Sequence, residues 1–219
     1  MKTYIYVIIL VIVLGLSIFF NVSTTNDLSP VSGSEPVYDP NLWNDNDLIE
    51  DSHNCYAYAL NDINDDLATL CEKECLYINP QPGHHCGMTK RVNYTDTTCD
   101  KLDKRIKCDN PNIIDTTFEQ KCPNGFYKIG LSVEPGKIYH FYRQGKNGYW
   151  DHKDGGKEAT NLDASGSVIT NPQNADRDYG KHNFHEWCKF YCVPSNDHGD
   201  TYYARNDYFG DELRYKAKY

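Results

Sequence analysis

The part of the chain that decides the fold reads Lys137-Ile138-Tyr139-His140-Phe141-Tyr142-Arg143, followed after a glycine-bounded segment by Tyr149-Trp150-Asp151-His152. Aromatic and β-branched residues dominate both runs, which is typical of strands. The segment 145–148 between them begins and ends with glycine, as a hairpin turn often does. The pattern therefore predicts two antiparallel strands, introduced by a turn at Val133-Glu134-Pro135-Gly136.

Further strands are predicted downstream of this hairpin. Residues 167–170 and 187–193 are also rich in β-branched and aromatic side chains. A helix is predicted upstream, as described next. A helix followed by several antiparallel strands predicts an α+β fold.

The predicted helix covers residues 54–70. Its apolar residues recur at helical spacing, at Tyr56, Ala59, Leu60, Ile63, Leu67 and Leu70. Either Asp51 or Ser52 is expected to cap this helix. Such a cap places Cys55 in or near the first turn.

The N-terminus predicts export. An apolar run over residues 4–20 is long enough for a signal-peptide core or a short membrane span. It ends in Phe20-Asn21, a poor cleavage site, which favours an uncleaved signal anchor over a cleaved signal peptide. Lys2 precedes the run, which suits an orientation with the remaining chain outside the cytosol. Both readings give an extracytosolic domain, either membrane-anchored or secreted, and a virion surface is compatible with both.

The cysteine content agrees with export. The chain contains nine cysteines, and disulfides persist where thiols are not kept reduced. Asn21-Val22-Ser23 and Asn93-Tyr94-Thr95 are acceptor sequons for N-linked glycans, which are added only on the secretory route. These features together predict a disulfide-containing glycoprotein.

Composition shifts divide the chain into four parts. The signal anchor or signal peptide occupies residues 1–20, and a polar, flexible stalk is predicted for residues 21–36. Residues 37–194 are long enough for one domain with its own core. Residues 195–219 form a polar, tyrosine-rich tail.

The charge balance excludes one class of partner. The formal net charge is -9 and no basic cluster occurs along the chain. Binding to nucleic acid requires a basic surface, so no nucleic-acid partner is expected.

Six of the cysteines lie in a segment rich in turn-forming residues, 71–125: Cys71, Cys75, Cys86, Cys99, Cys108 and Cys122. They predict a disulfide-stapled, loop-rich insertion whose pairing the sequence leaves open. Because nine is odd, at least one thiol is expected to remain free. Cys55 stands apart at a predicted helix start, where the helix dipole favours thiolate. The sequence leaves open whether Cys55 or another cysteine is the unpaired one.

The predicted hairpin carries two histidines. A turn symmetric about Lys146 would place His140 opposite His152 and Tyr142 opposite Trp150, all on one face of the ladder. Two histidines paired across a ladder have the arrangement expected of a general base and the residue that orients it, beside a cysteine nucleophile. Two ordinary strand histidines would give the same pattern.

A zinc site is a competing hypothesis. His182, His185, Cys188 and Cys192 have a spacing that is seen in structural zinc sites. On a strand, the two cysteines would point to the same face at a separation too large to bond each other. Each is therefore expected to pair with a cysteine elsewhere, which makes zinc the weaker of the two hypotheses.

Three blocks occur in an order that is known from a protein family. They are Asn54-Cys55-Tyr56-Ala57-Tyr58-Ala59, Glu134-Pro135-Gly136-Lys137 and Gly148-Tyr149-Trp150-Asp151-His152-Lys153. A cysteine at a helix start, a Pro-Gly turn, a strand histidine and a polar residue one strand later resembles the NlpC/P60-like papain fold. The stretch from His140 to Asp176-Arg177 is also similar to a little-characterised group of papain-like proteins.

The resemblance implies a papain-like helix packed on an antiparallel sheet, and a thiol hydrolase with a Cys-His-His triad. Cys55 would attack the carbonyl of an amide in a peptide or cell-wall-type substrate. His140 would take and return the proton, and His152 would orient His140. This chemistry uses no cofactor and no metal.

An alternative hypothesis requires no catalysis. The chain would then be an inactive, disulfide-stapled ectodomain that binds or coats the surface of a cell or an enveloped virus. A Cys55 locked in a disulfide, or one remote from His140, would favour this alternative.

Overall fold

The computed structural model describes residues 28–63, 68–69, 81–83, 86, 88 and 92–195. The predicted membrane segment and nearly all of the predicted tail lie outside these residues. Within the described ranges, none of the helices is long and apolar enough to span a membrane.

One six-stranded sheet organises the domain. The strands are β1 (Ile114–Thr116), β2 (Phe126–Glu134), β3 (Ile138–Gln144), β4 (Trp150–Lys153), β5 (Ala159–Thr160) and β6 (Glu186–Pro194). Their order is β1-β6-β2-β3-β4-β5, and every neighbouring pair is antiparallel. The predicted α+β class and the strands around residues 137–143, 149–152 and 187–193 are therefore confirmed.

In the described ranges, four complete helices and a 3-10 turn accompany the sheet. The helices are α1 (Asn41–Asn44), α2 (Asp47–Ser52), α3 (Cys55–Ala59) and α4 (Cys99–Asp109), and the turn is Tyr94–Asp96. Residues 71–125, predicted as a loop-rich insertion, also contain α4 and β1, which the sequence did not predict. Leu102 and Ile106, one helical turn apart, give α4 a fully buried apolar stripe.

Different elements pack on the two faces of the sheet. Side chains alternate between faces along each strand. On the first face, here called the helix face, odd-numbered residues of β2 and β3 pack against α3 and α4 in one cluster that includes Tyr56, Leu60, Leu102, Ile106, Ile129, Leu131, Val133 and Phe141. Each such fully buried aliphatic side chain contributes ~1.5–3 kcal/mol to folding. The second face, here called the loop face, carries a cluster of Tyr142, Trp150, Ile169 and Phe190.

A long connection, residues 161–185, covers the loop face. Asp163 fastens it by accepting hydrogen bonds from the backbone of Ser165, Ser167 and Asp176. Arg177 adds hydrogen bonds to four carbonyl groups on this connection, including that of Phe184. The strand predicted at residues 167–170 is absent from this described region, where Val168 forms only an isolated bridge with Leu162.

Gly130 in β2 is needed for close packing on the loop face. A Cβ atom at this position would lie 2.4 Å from the Cη2 atom of Trp187. No real Cβ contact is that short, so only glycine lets the indole ring lie flat against the strand.

The helix that begins at Cys55 is much shorter than predicted. Its cap is Asn54, whose side chain accepts from the backbone N–H groups of Tyr56 and Ala57, and not the predicted Asp51 or Ser52. Ser52 instead ends α2, and Asp51 lies within it.

The C-terminal end of α3 explains the difference. Asn61 adopts a positive φ of 53°. The N–H of Asn61 donates to the carbonyl of Tyr58, and the N–H of Asp62 donates to that of Ala57. These two hydrogen bonds together form a Schellman motif, which ends a helix even where apolar residues continue at helical spacing beyond it. Residues 68–69 are again helical.

The predicted hairpin register is also wrong. Tyr142 pairs with His152 and Gln144 pairs with Trp150, so the two strands are shifted by two residues from the predicted pairing. The connecting loop is centred on Asn147, since Gly145 N–H donates to the carbonyl of Tyr149. A shift of two residues preserves the side-chain faces, so His140 and His152 still lie on the same one.

Three disulfides join six of the described cysteines: Cys86–Cys108, Cys99–Cys188 and Cys122–Cys192. The last two tie the predicted insertion to β6. The expectation that Cys188 and Cys192 each pair with a cysteine elsewhere is confirmed, and the zinc set that included them does not form.

Part of the segment predicted as a stalk packs on the sheet. The Ser29 hydroxyl donates to the carbonyl of Phe118, and the side chain of Gln144 donates to the carbonyl of Ser29. The buried ammonium of Lys128 also donates to the Ser29 hydroxyl. The chain is therefore in contact with the domain from about Leu28 onward, whereas residues 21–27 lie outside the described ranges.

Candidate functional site

Cys55 occupies the first position of α3 and is the unpaired cysteine among those that the structure describes. Its side chain is 5% exposed and packs in the helix-face cluster with Tyr139 and Phe141. The Sγ atom lies 4.0 Å from the carbonyl oxygen of Tyr139. The thiol therefore faces the main chain of β3.

The surroundings of Cys55 oppose ionisation. Burial raises the pKa of the thiol to about 12, although the backbone N–H of Phe141 acts in the opposite direction. Asp154 raises this pKa further and Lys153 lowers it. The position at a helix start was expected to favour thiolate, but burial outweighs the dipole of a five-residue helix.

The two predicted histidines lie together on the loop face. His140 Nε2 is 2.8 Å from His152 Nδ1, and the two rings meet edge-on. His152 Nε2 is 3.0 Å from the carbonyl oxygen of Leu162 and 3.3 Å from the hydroxyl of Tyr179. His140 also stacks on Phe184 with ring centroids 4.8 Å apart.

These contacts assign the protons of the pair. The carbonyl of Leu162 is purely an acceptor, so His152 Nε2 carries the proton and His152 Nδ1 is an acceptor. His140 Nε2 must then donate to His152 Nδ1. His140 Nδ1 is left unprotonated, with no hydrogen-bond partner in the described part of the chain.

Both imidazoles are held neutral. Burial, together with the neighbouring His152, lowers the pKa of His140 to about 3. Burial also lowers the pKa of His152, while the carbonyl of Leu162 and the carboxylate of Asp154 act in the opposite direction.

The structure thus brings His140 and His152 together and leaves the Cys55 thiol in a different environment. In β3, His140 lies between Tyr139 and Phe141, and the contacts of these two residues with Cys55 are on the helix face. The described hydrogen bonds of Cys55 do not include either histidine. Asp151 points to the helix face and hydrogen-bonds there to Tyr58 and Arg143.

Sequence reasoning missed Tyr179 and Phe184, which complete the histidine pair. Both lie in the connection 161–185, which has no strand or helix periodicity to reveal the direction of its side chains. Among the described residues, no three His, Cys, Asp or Glu side chains are arranged to hold a metal ion.

Lowering the pH from about 6 to about 4 is expected to reduce the free energy of unfolding. The folded-state pKa of His140 is depressed from 6.5 to about 3, so only the unfolded chain takes up a proton at this histidine between those values. Stability is thus full above the ordinary pKa and falls as the pH drops, by up to about 1.4 kcal/mol per pH unit for each such histidine. Urea denaturation at several pH values measures this slope.

The matched control for this slope is His140→Gln. It removes one of the depressed groups and leaves the carboxylates in place, so its slope should be shallower by up to that same amount of about 1.4 kcal/mol per pH unit. Identical slopes for the two proteins would contradict a neutral, buried His140.

Comparisons with known proteins give one informative relative. No family model matches the chain, and no solved structure matches it. Insoluble matrix shell protein 1 from Ruditapes philippinarum is 34% identical over 142 residues, which cover 64% of this chain and 80% of the relative. Identity at this level over most of the relative establishes common descent. The chain therefore belongs to the family of insoluble matrix shell protein 1.

Proposed function

We propose that this protein is an exported, disulfide-stapled structural component of an extracellular matrix or coat, without thiol hydrolase activity. The observation that carries the proposal is the state of Cys55, which is buried, protonated and not bonded to a histidine in the described structure. The family relative supports it, because its name places it in an insoluble matrix.

The disulfides support the extracellular part of this proposal. Three cysteine pairs are joined, and two of these bonds cross between distant parts of the sequence. Bonds of this kind persist in oxidising compartments and are rare in the cytosol. They restrain the unfolded chain, which suits a protein that has to last outside the cell.

The protonation of the Cys55 thiol supports the proposal that the protein has no thiol hydrolase activity. With a pKa of about 12, roughly one Cys55 in 10⁵ is thiolate at neutral pH. A catalytic cysteine needs a large thiolate fraction or a base in hydrogen-bond contact. The contacts of Cys55 provide neither of these.

A second candidate is the thiol hydrolase of the NlpC/P60-like papain fold. Two observations favour it: Cys55 is not in a disulfide, and His140 Nδ1 is an unprotonated nitrogen whose ring is oriented by His152. In this reading the substrate is a peptide or cell-wall-type amide. Activity would require a rearrangement that brings Sγ against His140 Nδ1.

Native alkylation separates the two candidates. We expect iodoacetamide at neutral pH to modify Cys55 at least about 10³-fold more slowly in the folded protein than in urea, because the thiol is buried and protonated. Digestion without reduction, followed by mass spectrometry, identifies the modified cysteine. Cys55→Ser provides the control peptide.

The opposite result would favour the hydrolase. Alkylation of Cys55 faster than that of a free cysteine, with the excess rate lost in His140→Ala, would mean that the thiol and the imidazole interact. Cleavage of peptide amides that disappears in both Cys55→Ser and His140→Ala would then establish catalysis.

A further inference from the structure

We propose that Asn93 carries an N-linked glycan. The proposal rests on the export that is part of the proposed function. Asn93-Tyr94-Thr95 is a complete acceptor sequon, and it lies in the described part of the chain. Its conformation and exposure are therefore open to inspection.

The sequon occupies an exposed 3-10 turn. All three of its residues are exposed, and Tyr94 is 73% exposed. The Thr95 hydroxyl donates to Asn93 Oδ1 at 2.5 Å. This bond uses the amide oxygen and leaves Nδ2, the nitrogen that accepts the sugar, without a hydrogen bond to any described residue.

The turn is held in this shape by its neighbours. The N–H of Asp96 donates to the carbonyl of Asn93, and the ammonium of Lys101 donates to the carbonyl of Thr95. Arg105 forms a 2.6 Å ion pair with Asp96. These contacts hold the backbone of the turn on its protein side. The asparagine side chain faces solvent, where a bulky glycan can be attached without moving neighbouring residues.

The transfer step balances without an oxidant or reductant. The donor is an oligosaccharide linked to a polyprenyl diphosphate lipid, present in the secretory pathway. Asn93 Nδ2 forms a bond to C1 of the first sugar and gives up one proton. The C1–O bond to the diphosphate breaks, and the lipid diphosphate leaves with that electron pair.

The test uses the full chain expressed in animal cells, with recovery from both the medium and the cell fractions. Peptide-N-glycosidase treatment is expected to release one glycan at Asn93 and to convert that residue to aspartate, which mass spectrometry detects. On gel electrophoresis, Asn93→Gln and Thr95→Ala should each lack the shift in mobility that one glycan causes. Thr95→Ser preserves the sequon and should retain the shift, and Asn21→Gln should leave the modification of Asn93 unchanged.

The outcomes distinguish this proposal from the function on which it rests. Protein that reaches the medium or the cell surface with Asn93 unmodified overturns the glycan and leaves export intact. Protein that stays in the cytosol, unmodified, overturns both. Folding is not at risk in these variants, because the Asn93 side chain is exposed and, within the described ranges, hydrogen-bonds only to Thr95.

Discussion

In a chain whose Cys122–Cys192 bond is already removed by alanine substitutions, replacing Cys99 and Cys188 together by alanine is expected to lower the free energy of unfolding by about 4 to 5 kcal/mol. The Cys122–Cys192 bond is removed first because it would otherwise bridge the same loop and shorten it. The Cys99–Cys188 bond joins residues that are 89 apart in sequence, so it removes much of the loop-closure entropy of the unfolded chain. Both cysteines are only partly buried, so little packing is lost with the sulfur atoms. Urea denaturation of the two proteins measures the difference.

The matched control, made in the same background, is the pair Cys86 and Cys108, which lie only 22 residues apart. The same entropy argument gives a loss of about 3.4 kcal/mol for this bond. The order of the two effects is therefore the specific expectation. A larger loss for the short loop than for the long one would mean that loop entropy does not determine how these bonds stabilise the fold.

Arg143→Met is expected to lower the free energy of unfolding by about 3–5 kcal/mol. The guanidinium is fully buried on the helix face and lies 3.0 Å from a carboxylate oxygen of Asp151. It also donates to the carbonyl and the hydroxyl of Tyr58 and to the side chain of Asn61. Its removal leaves a buried carboxylate without its cation.

The charge state of Asp151 explains why the loss is large. Burial raises the pKa of this carboxyl group, and Arg143 is the main influence that opposes the increase. Without Arg143 the group must either stay charged in an apolar site or take up a proton, and both are unfavourable.

The double variant Arg143→Met with Asp151→Leu tests this explanation. It replaces both members of the pair with apolar side chains and should recover much of the loss. Thermal or urea unfolding of the two single variants and the double variant gives the double-mutant cycle for this pair. A double variant that is less stable than Arg143→Met would show that the cost does not come from the unpaired carboxylate.

The hairpin was predictable because its signal is local. The aromatic and β-branched runs of β3 and β4 and the glycines between them are sufficient to place two strands. The register was not predictable, because it depends on which residues of the loop hydrogen-bond to each other. The Gly145 N–H selects the carbonyl of Tyr149, and this choice moves the centre of the turn to Asn147.

Other parts of the fold escaped prediction for different reasons. The strand β2 is absent from the sequence-based prediction, although the alternation of Tyr127, Ile129, Leu131 and Val133 is a strand signal. The end of α3 depended on one asparagine in a left-handed conformation, which apolar periodicity does not register. The disulfide pairing required the sheet order, because Cys99 and Cys122 meet their partners only where β6 enters the sheet.

The candidate site was predicted in part. The two histidines were correctly placed on one face because strand alternation survives a register shift of two residues. The separate environment of Cys55 was not foreseen, since its burial follows from the packing of α3 against β3 and not from any local pattern. The catalytic roles of these three residues remain predictions that the alkylation experiment decides.

The bond between Cys99 and Cys188 also determines how the chain would carry mechanical load. Strands β1 to β5 all lie between these two cysteines in sequence. Tension applied at the two ends of the chain would pass directly through the sulfur–sulfur bond and continue along β6. The covalent path therefore bypasses the segment that contains the five other strands and the histidine pair, and pulling cannot extend that segment while the bond between Cys99 and Cys188 is intact.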